Sequence, residues 1–82
     1  MFETKTIEER VKQIFAAVLH MKTSDDILNA TYDSLKQWDS IGHLCLFMAL
    51  EEEFDFEFSP NQIVELKNFR SICETVKQLK RS

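Results

Sequence analysis

The sequence predicts an all-α protein: a four-helix bundle with a short third helix and a long loop between the first and second helices. Three observations carry this. The 82-residue chain holds one Gly and one Pro, too few breakers for a sheet with many tight turns. Two capping-box signatures, at Thr6 and at Ser59, announce helix starts. Apolar residues also recur at the 3.6-residue period in several segments. The length suits a single domain over residues 1–82, with a core that is marginal at this size.

The first helix is predicted to begin at Thr6, where Thr6-Ile7-Glu8-Glu9 lets Thr6 and Glu9 satisfy each other's backbone donors. Ile7, Val11, Ile14, Phe15 and Val18 fall on one face, and the pattern fades near His20. Residues 21 to 39 are polar and turn-prone. So long a loop in a small domain signals function or an unseen short helix, and Ile27, Leu28, Tyr32, Leu35 and Trp38 are its candidate anchors. The second helix is predicted from about Ser40 to Phe54, with Asp39 and Ser40 both suitable caps. Ser59-Pro60-Asn61-Gln62 opens a short third helix covering Ile63, Val64 and Leu66. The last helix starts after Asn68 and places Phe69, Ile72, Cys73, Val76 and Leu79 on one face. Basic Lys77, Lys80 and Arg81 gather at its C-terminal end.

Composition removes several function classes. Fourteen acidic residues against ten basic ones give a net charge of −4, and no basic stripe is present, so nucleic acid is not an expected partner. The acidic surplus suits partners with basic surfaces. No apolar run approaches membrane-spanning length, and Met-Phe-Glu-Thr-Lys does not read as a signal peptide, so no membrane association and a cytoplasmic location are expected. Cys45 and Cys73 show no disulfide or metal-ligand spacing and are expected as free thiols packed like small hydrophobes. His20 and His43 lack partners for a zinc site.

The second helix carries two apolar groups. At about 100° per residue, His43, Leu46, Phe47, Leu50 and Phe54 cluster on one side, and Ile41, Leu44, Cys45 and Met48 on the other. A helix of a small bundle buries one face. The bulkier set is assigned to the core. Ile41, Leu44 and Met48 then form an exposed strip, with Asp39 at one end and Glu51 and Glu52 at the other, which reads as a docking surface. His43 falls on the core side, as a hydrogen-bonded histidine rather than a ligand or base.

The run Leu35-Lys36-Gln37-Trp38-Asp39-Ser40-Ile41-Gly42-His43-Leu44, followed by Met48-Ala49-Leu50-Glu51-Glu52-Glu53-Phe54, resembles the acyl-carrier proteins. Their hallmark is Asp-Ser followed by Leu, Met or Ile at the head of the second helix. The likeness extends from Thr6 to Leu79, and it implies the four-helix fold of that family. It also implies that Ser40 receives 4′-phosphopantetheine from coenzyme A, with Asp39 helping to hold the accompanying magnesium. A helix N-terminus suits the resulting phosphodiester. Ser40 has no base beside it, so a separate phosphopantetheinyl transferase must activate it. The thiol that bears the cargo belongs to the arm, not to either cysteine.

The resemblance further implies a monomeric carrier without catalytic activity of its own. Its Ile41, Leu44, Met48, Glu51 and Glu52 would meet loading, acyltransferase or synthase enzymes. Gly42 and Cys45 stand where members of fatty-acid synthesis often place acidic residues. The Trp38-Asp39-Ser40 form, with Gly42 and His43 following, looks more like stand-alone carriers of specialised pathways, such as polyketide synthesis. Such carriers can shelter an acyl chain between helices, and Leu46, Leu50, Ile63, Leu66 and Ile72 match the lining positions. Phe47, Phe54, Phe58 and Phe69 are bulky enough to fill that space, so long chains are expected to be poorly sequestered. Two alternatives stand beside this reading: an aminoacyl or peptidyl carrier loaded by an aminoacyl-activating enzyme, and an unmodified helical interaction module in which Ser40 is a cap. No Cys-His, Ser-His-Asp or paired-carboxylate arrangement supports an enzyme.

Overall fold

Five helices make up the secondary structure of the computed structural model, which describes residues 6–21 and 24–81. They are α1 (Ile7–Leu19), α2 (Ser24–Leu28), α3 (Ser40–Phe54), α4 (Pro60–Glu65) and α5 (Phe69–Arg81). The all-α expectation holds, and the predicted loop contains the single-turn α2. Five residues with no repeat of an apolar face leave no periodicity to read. Residues 1–5, whose makeup argued against a signal peptide, lie outside the described residues, as do Lys22 and Thr23 of the loop.

Both capping boxes form. Thr6 Oγ1 accepts the Glu9 N–H at 3.1 Å while Glu9 Oε1 accepts the Thr6 N–H at 3.1 Å. Ser59 and Gln62 repeat the exchange at the start of α4, where Pro60 occupies the first turn. His20 ends α1 in the left-handed conformation, φ 56°, and sends its N–H to the Ala16 carbonyl. The buried face of α1 consists of Val11, Phe15 and Leu19, with Ile7, Ile14 and Val18 only partly covered.

The segment between α1 and α3 buries Met21, Ile27 and Ala30 in the core and is bound at two further places. Trp38 is 1% exposed and meets Phe15 edge to face at 5.3 Å. Burying such a side chain stabilises the fold by roughly 1.5–3 kcal/mol. Further along, Thr31 and Asn68 form an isolated antiparallel bridge, in which Tyr32 N–H donates to Lys67 C=O at 2.7 Å and Phe69 N–H to Ala30 C=O at 3.1 Å.

α3 is fixed at its far end by two other helices. Arg10 of α1 donates to the Glu53 carboxylate at 3.0 Å and to the Glu53 carbonyl at 3.1 Å, and its guanidinium lies 4.4 Å from the centre of the Phe54 ring. Lys80 of α5 donates to the Phe54 carbonyl at 2.9 Å. The final carbonyls of a helix lack internal partners and carry the negative end of its dipole, so both cations are well placed. Lys80 thus serves the end of α3.

Candidate functional site

The head of α3 is built by its cap. Asp39 settles the open choice between two capping residues: its Oδ1 accepts the Gly42 N–H at 2.8 Å, and its backbone is extended. Ser40 is therefore the first helical residue, and it is exposed. Its hydroxyl stands where the first-turn N–H groups have no helical acceptors and where the dipole is positive. An esterified phosphate at this oxygen would be stabilised by both. The cap leaves Asp39 Oδ2 outside its hydrogen bond.

His43, one turn on from Ser40, would be the obvious base for that hydroxyl. It is instead buried with both nitrogens engaged. Trp38 Nε1–H donates to His43 Nδ1 at 2.9 Å. An indole nitrogen can only donate, so Nδ1 is the acceptor, the ring proton sits on Nε2, and Nε2–H donates to the Ile63 carbonyl in α4. The ring is enclosed by Tyr32 at 5.5 Å, Trp38 at 6.0 Å and Phe47 at 4.7 Å between centres. The expected core histidine is found, and the orientation leaves Ser40 without a base from this residue.

The two apolar faces of α3 separate as the periodicity predicts. His43, Leu46, Phe47, Leu50 and Phe54 are buried. Ile41, Leu44 and Met48 are 73%, 56% and 68% exposed, and Val64 of α4 is 64% exposed. Glu52 is exposed beside the strip. Glu51 is half-buried, and its Oε2 accepts the Phe58 N–H at 2.9 Å, so it also anchors the connection to α4. One expectation needs correcting. Cys73 is buried, but Cys45 is exposed on the outer face, because α3 presents that face to solvent.

Sequence reasoning passed over Gly42 as a site residue. A Cβ there would lie 2.6 Å from the Gln37 carbonyl oxygen and 3.3 Å from both Asp39 Oδ1 and Leu19 Cδ2. The loop before Ser40 therefore passes closer to α3 than a side chain allows. The available signal was the chain's sole glycine set inside a helix, which disfavours helix formation unless packing requires it.

A groove of about 430 Å³ lies on the loop side of the molecule, lined by His20, Met21, Asp26, Asn29, Ala30, Ser34, Leu35 and Gln37; Ser40 is not part of it. Ser40 is exposed at the first position of α3, where another molecule can reach it. Among the described residues no group of His, Cys, Asp and Glu could hold a metal ion, and no helix is long and apolar enough to cross a membrane.

Residues 9–76 match a family described as a phosphopantetheine attachment site. The chain is also similar to the acyl carrier protein of Buchnera aphidicola subsp. Schizaphis graminum (strain Sg). The two are 33% identical over 70 residues, which cover 85% of this chain and 89% of that protein.

Proposed function

Because the chain belongs to the phosphopantetheine-attachment family, as an acyl carrier protein that carries acyl groups on phosphopantetheine, we propose that Ser40 is the residue that bears the arm. The observation that supports this most is the placement of an exposed serine as the first residue of α3, directly after the Asp39 cap. The arm supplies the thiol on which acyl groups are held as thioesters. In the modification, the Ser40 oxygen bonds to the pantetheine-side phosphorus of coenzyme A, the phosphoanhydride bond to the nucleotide breaks, and the hydroxyl proton leaves to a base. With both His43 nitrogens engaged, that base comes from the transferase. Asp39, through the oxygen its cap does not use, is the carboxylate in place to share a magnesium ion with the phosphates.

The chain itself catalyses nothing in this reading; it presents its cargo. Ile41, Leu44 and Met48 form the apolar part of the presenting face, and Glu51 and Glu52 its acidic part, so loading and acyl-transferring enzymes meet it through basic, partly apolar surfaces. One oxygen of Glu51 is already held by Phe58, which leaves Glu52 the freer of the two charges. The proposal takes residues 1–82 as one carrier domain, working as a monomer in the cytoplasm.

Intact-mass analysis after incubation with coenzyme A and a broad-specificity phosphopantetheinyl transferase tests the assignment. A gain of one phosphopantetheine that is absent in Ser40→Ala is expected. No gain in the parent chain, or a gain that persists in Ser40→Ala, overturns it.

A further inference from the structure

Residues 37–39, immediately before Ser40, are held from three directions. The Gln37 carbonyl lies against Gly42, the Trp38 indole is bonded to His43, and the Asp39 carboxylate caps the Gly42 N–H. Two of these restraints arise within the first turn of α3. The third reaches further, because His43 passes it on to the Ile63 carbonyl of α4. That carbonyl belongs to the last turn of a six-residue helix and has no acceptor role inside it. α4 contributes no fully buried side chain, so this bond is a specific tie between α4 and the head of α3.

We propose that His43 is a positioning residue for the modification of Ser40, clamping Trp38 to the backbone of α4 so that the turn bearing the serine is presented in one orientation. The inference rests on Ser40 being the attachment residue. Aromatic side chains of similar size would fill the nest between Tyr32 and Phe47 without any polar atoms. Replacing both partners of a buried hydrogen bond by apolar groups changes stability little, so what the polar pair adds is direction. The indole N–H fixes the rotation of Trp38 about its side chain, and Trp38 is bonded through its own backbone to Leu35 at 3.2 Å, so the turn cannot swing without breaking one of these bonds. A transferase that must align one hydroxyl with one phosphorus gains from such alignment, since small misplacements of reacting atoms are costly.

The test compares the full chain with His43→Phe, Trp38→Phe, the double variant and Val76→Ala, all at a temperature where circular dichroism shows each folded. Val76 is buried on α5, an element that supplies no group to the clamp, and reports the effect of lowered stability. The rate of phosphopantetheine transfer from coenzyme A is expected to fall about fivefold in either single variant, the worth of one directional hydrogen bond, through kcat rather than the KM for coenzyme A. The double variant is expected to be no slower than either single one, because both remove the same link. In the parent chain the single indole N–H resonance should be protected from exchange, and in His43→Phe it should exchange quickly. Unchanged transfer rates in the folded clamp variants overturn the proposal, as does a Val76→Ala rate reduced as much as that of His43→Phe. If the parent chain takes up no phosphopantetheine, the Ser40 assignment fails and this inference with it, a result distinct from normal modification of the variants.

Discussion

A β-carbon on Gly42 would sit 2.6 Å from the carbonyl oxygen of Gln37, so the head of α3 and the loop that precedes it are in backbone contact. Alanine is the better helix former by about 1 kcal/mol. Here the sign reverses, because the obstacle is backbone rather than a flexible side-chain tip. Gly42→Ala is expected to destabilise the protein by about 1–3 kcal/mol, the usual range for overpacking. Thermal or urea unfolding checks this, and a Tm equal to or above that of the parent would show that the loop yields freely.

Asp39 caps α3, and two substitutions separate that cap from the magnesium role proposed for its carboxylate. Asparagine caps about as well as aspartate, whereas alanine loses roughly 1 kcal/mol. Asp39→Asn should therefore keep the parent stability and still slow phosphopantetheine transfer, with the defect eased by raised magnesium. Asp39→Ala should lose both stability and transfer. Equal transfer rates in parent and Asp39→Asn would remove the carboxylate from the modification chemistry.

Leu44 and Met48 are exposed on the outer face of α3, so changing them should leave the core intact. Leu44→Glu and Met48→Glu are expected to alter stability by no more than about 0.5 kcal/mol. Both should weaken association with the transferase several-fold, as read from its KM for the carrier. Glu52→Lys should weaken it too, and added salt should shrink that effect. A KM for the carrier that ignores all three changes would place the contact surface elsewhere.

The two thiols should behave differently. Cys45 is expected to react with a thiol reagent at once, and Cys73 only as the protein unfolds. Burial pushes the Cys73 thiol above its ordinary value of 9.0, with Lys77 partly opposing the shift. A raised acid group loses its proton more readily in the unfolded chain. Its contribution to stability is thus constant below about pH 9 and declines as pH climbs from there toward the folded value. Cys73→Ala should show a shallower alkaline decline than the parent, and identical slopes in denaturant titrations across this range would refute the assignment.

Phe47 packs against Phe58 at 4.7 Å between ring centres, and Leu46, Leu50 and Ile72 are fully buried. Space for a long acyl chain between these residues would require the rings to move. Chemical shifts of Phe47 and Phe58 are expected to change little between the bare-arm form and one loaded with a long acyl chain. Large shifts confined to these residues would show that the core opens to take the chain.

Most of the helical framework was legible because its signals are local. Thr6 with Glu9, and Ser59 with Pro60 and Gln62, mark helix starts within four residues of sequence. The opposed faces of α3 follow from angular spacing, which is why Leu46 and Phe47 were assigned inward and Ile41 and Met48 outward. Bonds between distant residues leave no such trace. Nothing near Arg10 indicates Glu53, and nothing near His43 indicates Ile63, because folding alone brings them together. The long loop signalled a short helix but not its position, because the single turn of α2 is too short to display a period. Glu51 falls with Glu52 at the far end of the exposed strip in the sequence, yet the chain reversal at Phe58 supplies it with a backbone donor.

The strip of Ile41, Leu44 and Met48 also bears on whether two copies of this chain can stick together. A two-fold pairing through that strip would bring each copy's Asp39 and Glu52 toward the like-charged margins of the other. Desolvating the greasy centre would favour such a homodimer, while Coulomb repulsion at the edges, added to a net charge of −4 on each molecule, would oppose it. A cationic visitor would meet the attraction without the repulsion, so an acidic border of this kind favours a partner of opposite charge over a second copy of the same chain.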